Sequence, residues 1–390
     1  MKAKRLLAAL MTMVLLVPCV GTAFAAYDYH GAKREKCTRL SFNDDGKLRI
    51  LQIADVQEAI WVSSVEKLLL FEAVRQTKPD LIVLTGDNIA GYSAEKKWGA
   101  TFAIRQVMDI LSLFHTPIAA VFGNHDDEGT ELTKLDQMDV YESYPTFIGC
   151  RGVVAEKTVD KTVINVGTYN LPVYADKCSD EVAFNIWCFD SGNYNPDNRY
   201  GGYGYVFPEQ LEWYVEKSNE LKKANGGVPV PSIAFQHIIP PQIAEALQEV
   251  PEGTPGAVDF AGKWYTLPED TDLTKNHLSE APCPPNLDFA PGYAEVETML
   301  AQGDVNAIFC GHDHVNGFSV PYKGIDLVTS PGCTYGSYND DNRGFRLITI
   351  DKNNPTAHES ELLLASEILH PRTRPLLSLL ATILERIEPV

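Results

Sequence analysis

LRILQIADVQEAI, Leu48 to Ile60, sets the terms for the whole chain. Leu48 to Ala54 is mostly apolar and partly β-branched, the composition of a short buried strand, and it stops abruptly on Asp55-Val56-Gln57. A carboxylate at the end of a buried strand needs a partner, because an unpaired buried charge is costly. The stretch therefore asks what Asp55 pairs with and whether Gln57 belongs to the answer.

Working outward, the same construction recurs four times. Leu81 to Thr85 ends at Gly86-Asp87-Asn88, and Ile118 to Phe122 at Gly123-Asn124-His125-Asp126. Ile233 to Phe235 ends at Gln236-His237, and Ala307 to Cys310 at Gly311-His312-Asp313-His314. Val65 to Lys78 and Trp98 to Phe114, between the first three runs, read as amphipathic helices. The spacing from Asp55 to Asp87 is 32 positions and from Asp87 to Asn124 it is 37, each the length of one strand–helix–strand unit. Such units make the strands parallel and bring their carboxyl ends to one edge of the sheet, where ligands bind in open α/β sheets. Singly, each tip is ordinary turn punctuation, and a lone histidine is more often structural than catalytic. Together they supply Asp55, Asp87, Asn124, His237, His312 and His314, a mixed oxygen and nitrogen set suited to divalent metals.

Composition fits that reading. The 390 residues are 45% hydrophobic and 22% charged, enough to bury one large core or two ordinary ones. Residues 1–25 read as a removable signal: Lys2, Lys4 and Arg5, an apolar run from Leu6 to Val17, and a small-x-small site at Ala23-Phe24-Ala25. The run is short for a membrane span, and Pro18 before Cys19 is a poor fit to a lipoprotein site, so the expectation is a secreted or periplasmic chain without a stable transmembrane anchor. Without that segment the formal charge moves from −19 to −22. Such a surface repels nucleic-acid backbone and anionic lipid, and it repels a phosphorylated substrate too unless cations sit in the site. Seven cysteines remain with no C-x-x-C pair, which argues against a zinc finger; Cys178–Cys188 and Cys150–Cys178 are the pairings considered.

The motifs D-x-Q at Asp55, G-D-x-x at Gly86, G-N-H-D at Gly123, a lone His237 and G-H-x-H at Gly311 together resemble the calcineurin-like metallophosphoesterases. The resemblance runs from Leu48 to the 340s, and Gly167 to Leu171 and Pro291 to Glu297 are similar to the short, single-domain branch near the purple acid phosphatases. It implies a four-layer α/β/β/α sandwich, two mixed β-sheets flanked by helices, occupying 26–365 with a helical tail at 366–390. It implies two divalent or mixed-valence metal ions (Mn, Mg, Fe or Zn) bridged by Asp87, the first held by Asp55, Gln57 and His314, the second by Asn124, His237 and His312. His125 and Asn124 would contact the phosphate, with His125 and Asp87 catalytic. Such cations screen a phosphate, lower the pKa of a bound water and clamp the attacking and leaving oxygens.

Two positions depart from the family's pattern. Gln57 stands where the wider family has a histidine ligand, and Ala90 where purple acid phosphatases have a compensating tyrosine. An amide oxygen is a harder donor than imidazole and favours Mg or Mn over Zn or Fe. Gln57 would ligate, or orient a bound water, or be replaced by another residue, or mark the loss of a metal.

The Gly, Asn and Tyr-rich stretch from Asp190 to Tyr205 reads as a loop whose aromatic side chains line a leaving-group pocket or simply decorate the surface. Val250 to Pro285 reads as an insertion near the site, and Arg343 and Arg346 as structural or phosphate-binding. Pro375 to Val390 carries leucines at helical spacing, for packing or a partner contact. Neither G-x-S-x-G nor G-x-x-x-x-G-K occurs, against serine-hydrolase and P-loop chemistry. The expectation is a phosphomonoesterase acting on a small phosphorylated substrate, with a phosphodiesterase on the same site and a metal-poor binding protein as the rivals.

Overall fold

The computed structural model describes residues 39–152, 166–195, 202–286 and 294–370, together with the short strands Thr158–Val159 and Thr162–Val163. The signal at 1–25, residues 371–390 of the tail, and parts of the Tyr-rich and Pro291–Glu297 stretches lie outside the described residues.

Two sheets make the body. Twelve strands are numbered in chain order: β1 Leu40–Ser41, β2 Lys47–Ile53, β3 Leu81–Thr85, β4 Ile118–Val121, β5 Tyr169–Tyr174 and β6 Val182–Cys188. The rest are β7 Ser232–Phe235, β8 Val305–Cys310, β9 Ser319–Tyr322, β10 Ile325–Thr329, β11 Gly344–Asp351 and β12 Glu359–Leu364. One sheet runs β12-β11-β2-β3-β4 and the other β1-β5-β6-β7-β8-β10-β9. The pairs that carry the polar tips, β2–β3, β3–β4 and β7–β8, are parallel, so their tips share one edge of each sheet.

Period-two alternation assigns each strand residue to a layer. Leu48, Ile50, Leu81, Val83, Ala119 and Val121 face the other sheet and meet Ile233, Phe235, Ala307 and Phe309 there. Leu51, Ile53, Ile82, Leu84, Ile118 and Ala120 face outward against helices α1 Ser64–Thr77, α2 Lys97–Leu111 and α3 Lys134–Glu142. On the far side Ala234, Ile308 and Cys310 pack under α4 Pro208–Ala224 and α5 Glu295–Gln302. Because both faces of the central strands are covered, the strands are mostly apolar, and a polar residue among them, Gln52, is buried. The result is the expected four-layer α/β/β/α sandwich.

Helix ends follow local chemistry. Ser63 caps α1 by accepting from the Glu66 backbone N–H, and Lys78 closes it in the left-handed region just before Pro79. Thr133 and Asp136 form a reciprocal capping box on α3.

The sheets are also tied by polar groups. Gln52 donates to Cys310 O at 3.0 Å and accepts from Ser330 Oγ at 2.6 Å. Arg346, on β11 and buried, donates to Thr329 O at 2.7 Å and to Ser360 Oγ at 3.1 Å. Arg346 is thus an inter-sheet tie, and Arg343 donates to Thr334 O and lies over the Tyr335 ring. The insertion at 250–285 contributes Phe260, Tyr265 and Leu267 to the core and ends with Cys283 donating to Asp313.

Neither disulfide considered from the sequence forms: Cys150, Cys178 and Cys188 are all reduced thiols. Tyr169 pairs with Cys188 at one end of the β5–β6 ladder, whereas Cys178 lies in the connection at the other end. Seven strand residues span roughly 20 Å, beyond the reach of a disulfide. Cys150 lies with Tyr169 at the Cys188 end, so it too is far from Cys178.

Candidate metal centre

All five tips converge where the two sheets meet. Asp55, Asp87 and Asn124 follow β2, β3 and β4, while His237, His312 and His314 follow β7 and β8. Each of the six is buried. The ligand atoms of Asp87, His237 and His312 lie within 4.8 Å of one another, and so do those of Asp55, Asp87 and His314. Asp87 is the member common to both groups.

The backbone bends sharply to aim these groups. Asp55, Gln57, Asp87 and His312 all have positive φ, at 51°, 35°, 49° and 75°. Non-glycine residues there cost on the order of 1 kcal/mol or more and persist where surrounding contacts enforce them. The neighbouring glycine is needed for close approach. A Cβ on Gly86, itself at φ 87°, would stand 2.5 Å from His237 Nδ1. Asp126 fastens the loops by accepting from the N–H groups of Gly123 at 2.7 Å, Asn88 at 2.8 Å and Ile89 at 3.2 Å.

The donor separations fit shared cations. His237 Nε2 stands 3.2 Å from Asp87 Oδ2, 3.2 Å from Asn124 Oδ1 and 3.2 Å from His312 Nδ1. His314 Nε2 is 3.5 Å from Asp55 Oδ1. Donors about 2.1 Å from one ion lie roughly 3.0–3.4 Å apart, so the 3.2 Å separations are those of adjacent ligands and the His314–Asp55 pair lies just beyond. The tautomers agree. His237 Nδ1 donates to Thr85 O at 2.9 Å and His314 Nδ1 to Tyr338 O at 2.7 Å, which leaves each Nε2 lone pair free to ligate. Asp55 Oδ1, Gln57 Oε1 and His312 Nε2 are buried without a hydrogen-bond partner among the described residues. Buried atoms of that kind are costly unless something binds them.

Electrostatics point the same way. Burial alone would raise the Asp87 carboxyl, but His237 reverses this by charge and hydrogen bond and holds it below the usual range. Burial would likewise lower His237, yet Asp87 lifts it to about 9. Burial and the neighbouring His237 push His312 well below the usual imidazole range, so it stays a neutral donor. The pocket stabilises positive charge at its centre, which is the condition a divalent cation meets.

His125 sits at the mouth, partly exposed, with its backbone N–H donating to Asp87 Oδ1 at 2.7 Å and its Nδ1 donating to Glu128. The Tyr92 ring stands nearly perpendicular to that of His125, with centroids 5.2 Å apart, and Ala90 is buried. Gln57 lies beside Asp87, donating its N–H to Asp87 O at 2.8 Å. Sequence reasoning missed Glu128, Tyr338 and the brace formed by Asp126. Only Asp126, inside the G-N-H-D motif, had a signal in the sequence.

The sequence model of the family described as calcineurin-like phosphoesterase matches residues 48–316. An Arabidopsis thaliana protein named "Probable inactive purple acid phosphatase 29" is 27% identical over 339 residues, covering 81% of this chain and 79% of its own. "Phosphatase DCR2" of Saccharomyces cerevisiae is 25% identical over 76% of this chain and 49% of its own length. Among solved structures, a dimetal phosphatase from Danio rerio aligns over 82% of this chain and 98% of its own at 13% identity, with a TM-score of 0.49.

Proposed function

Because this chain belongs to the calcineurin-like phosphoesterase family, we propose that it is a metal-dependent phosphoesterase that hydrolyses small phosphate monoesters. The observation that carries the reading is the set of 3.2 Å separations around His237 Nε2, together with the shared position of Asp87. Asp55, His314 and Gln57 would hold one cation, Asn124, His237 and His312 the other, with Asp87 between. Bound cations of this kind supply Lewis acidity, a nucleophile from water at neutral pH and charge neutralisation for the phosphate.

The chain's own groups do the positioning. Glu128 takes the Nδ1–H of His125, so Nε2 is the nitrogen that faces a substrate oxygen. Asn124 and His125 are adjacent in a loop pinned by Asp126, which fixes their relative placement. Gln57, with its side-chain oxygen unsatisfied, is proposed as a weak oxygen ligand. Export is proposed from the reading of residues 1–25 alone.

A second reading, a metal-poor binding protein that does not hydrolyse, is favoured by Gln57 and by the names of the plant relatives. One experiment separates the two. The chain is reconstituted with Mn, Mg, Fe or Zn and given a chromogenic phosphate monoester and its diester, with His312→Ala alongside. Metal-dependent monoester turnover that His312→Ala abolishes supports the phosphatase. One metal or none bound, with no turnover of either ester, supports the second reading, and dominant diester turnover makes the chain a phosphodiesterase.

A further inference from the structure

Three tyrosines stand on imidazoles at the cage, and a fourth stacks on one of the three. Tyr338 stacks flat on His314, with centroids 4.2 Å apart and planes 3° from parallel. Tyr203 meets His312 edge-on at 4.2 Å, and Tyr92 meets His125 edge-on at 5.2 Å. Tyr194 stacks on Tyr203 at 5.9 Å and donates its hydroxyl to Glu128 at 3.1 Å. Rings that only buttressed histidines would be covered. Instead Tyr92, Tyr194 and Tyr338 remain 48%, 47% and 55% exposed, so each keeps open surface at the mouth. The hydroxyls of Tyr194 and Tyr338 both end on carboxylates, Glu128 and Glu280, each at 3.1 Å.

We propose that this tyrosine collar selects phosphate esters whose leaving group carries a flat aromatic ring with no negative charge. The inference rests on the phosphoesterase reading and names its substrate class. The collar touches the same imidazoles that frame the cage, so a ring one or two bonds from the ester oxygen falls against it. Aromatic faces attract a flat π system more than a puckered ring of equal bulk. The carboxylates behind the hydroxyls repel a second anion. Two of the four rings, Tyr194 and Tyr203, come from the Tyr-rich stretch of the sequence.

Benzyl phosphate and cyclohexylmethyl phosphate test this directly, because both release a primary alkoxide of nearly equal basicity and differ in ring planarity. The metal-loaded chain is expected to favour the benzyl ester by about tenfold in kcat/KM. Tyr194→Leu should bring that ratio close to one, whereas Tyr194→Phe, which keeps the ring and loses the hydroxyl, should retain it. A ratio near one in the unaltered chain, or a ratio that survives Tyr194→Leu, overturns the collar. Silence toward both esters overturns the phosphoesterase reading instead. The collar is then judged by binding of benzylphosphonate against cyclohexylmethylphosphonate to the metal-loaded chain, where equal affinity overturns it and aromatic preference lost in Tyr194→Leu upholds it.

Discussion

Asp87 is the residue on which the centre turns, since it belongs to both ligand groups. Asp87→Ala should therefore lower metal content toward zero, while Asp55→Ala should remove about one of two ions; elemental analysis of the dialysed proteins distinguishes the outcomes. Gln57→His tests the weakest position. Histidine tolerates positive φ better than most side chains, so the 35° at residue 57 is no obstacle, and an imidazole there should raise zinc affinity by about tenfold or more. Competition with a chromogenic chelator reads that change, and an unaltered affinity would show that residue 57 does not ligate. The ligand residue types were legible because each tip interrupts an apolar run with a group that cannot be buried alone. Glu128 and Tyr92 were not, because their contacts with His125 join a loop and a short helical turn whose approach no local pattern encodes.

Strands were legible to within a residue or two wherever both faces are covered, as at Leu81–Thr85 and Ile118–Val121, because unbroken apolar runs bounded by turn residues leave little choice. Two members of the second sheet were less so: β5 alternates in burial and carries Asn and Pro, β6 holds Asn185 inside a run buried on both faces, and nothing local marks the partners they meet. Caps make the helices separable targets. Ser63→Ala should cost about 1 kcal/mol in urea denaturation, since it removes the Glu66 N–H acceptor and the contact with Glu58 together. Helix α5 carries a pH dependence. Burial raises Glu295 to about 8, against 4.5 when exposed, with Gln236 opposing the shift and Glu297 adding to it. The folded chain thus keeps a proton that the unfolded chain releases between those values, and its stabilising effect is lost as pH rises through the window. Glu295→Gln should leave stability at pH 5 nearly unchanged and raise it at pH 8.5 relative to the parent, as denaturation midpoints at the two pH values will show.

At the scale of the molecule, the cage has one half on each sheet: Asp55, Asp87 and Asn124 on one, His237, His312 and His314 on the other. Ligands from both sides make cation binding a clamp across the inter-sheet core, beside the ties at Gln52 and Arg346. An ion held at a thousand times its Kd adds about 4 kcal/mol, so chelation should lower the melting temperature by several degrees, and readdition of metal should restore it. Calorimetry with and without chelator checks this; an unchanged melting temperature would mean that the apolar faces and the ties at Gln52 and Arg346 hold the two halves without help from a cation. The clamp also ties the protein's persistence to its surroundings. Stripped of metal, the two layers separate more often, and each opening offers the chain between them to proteases. A habitat poor in metal would then shorten the protein's lifetime, so that its abundance would follow the supply of the cation.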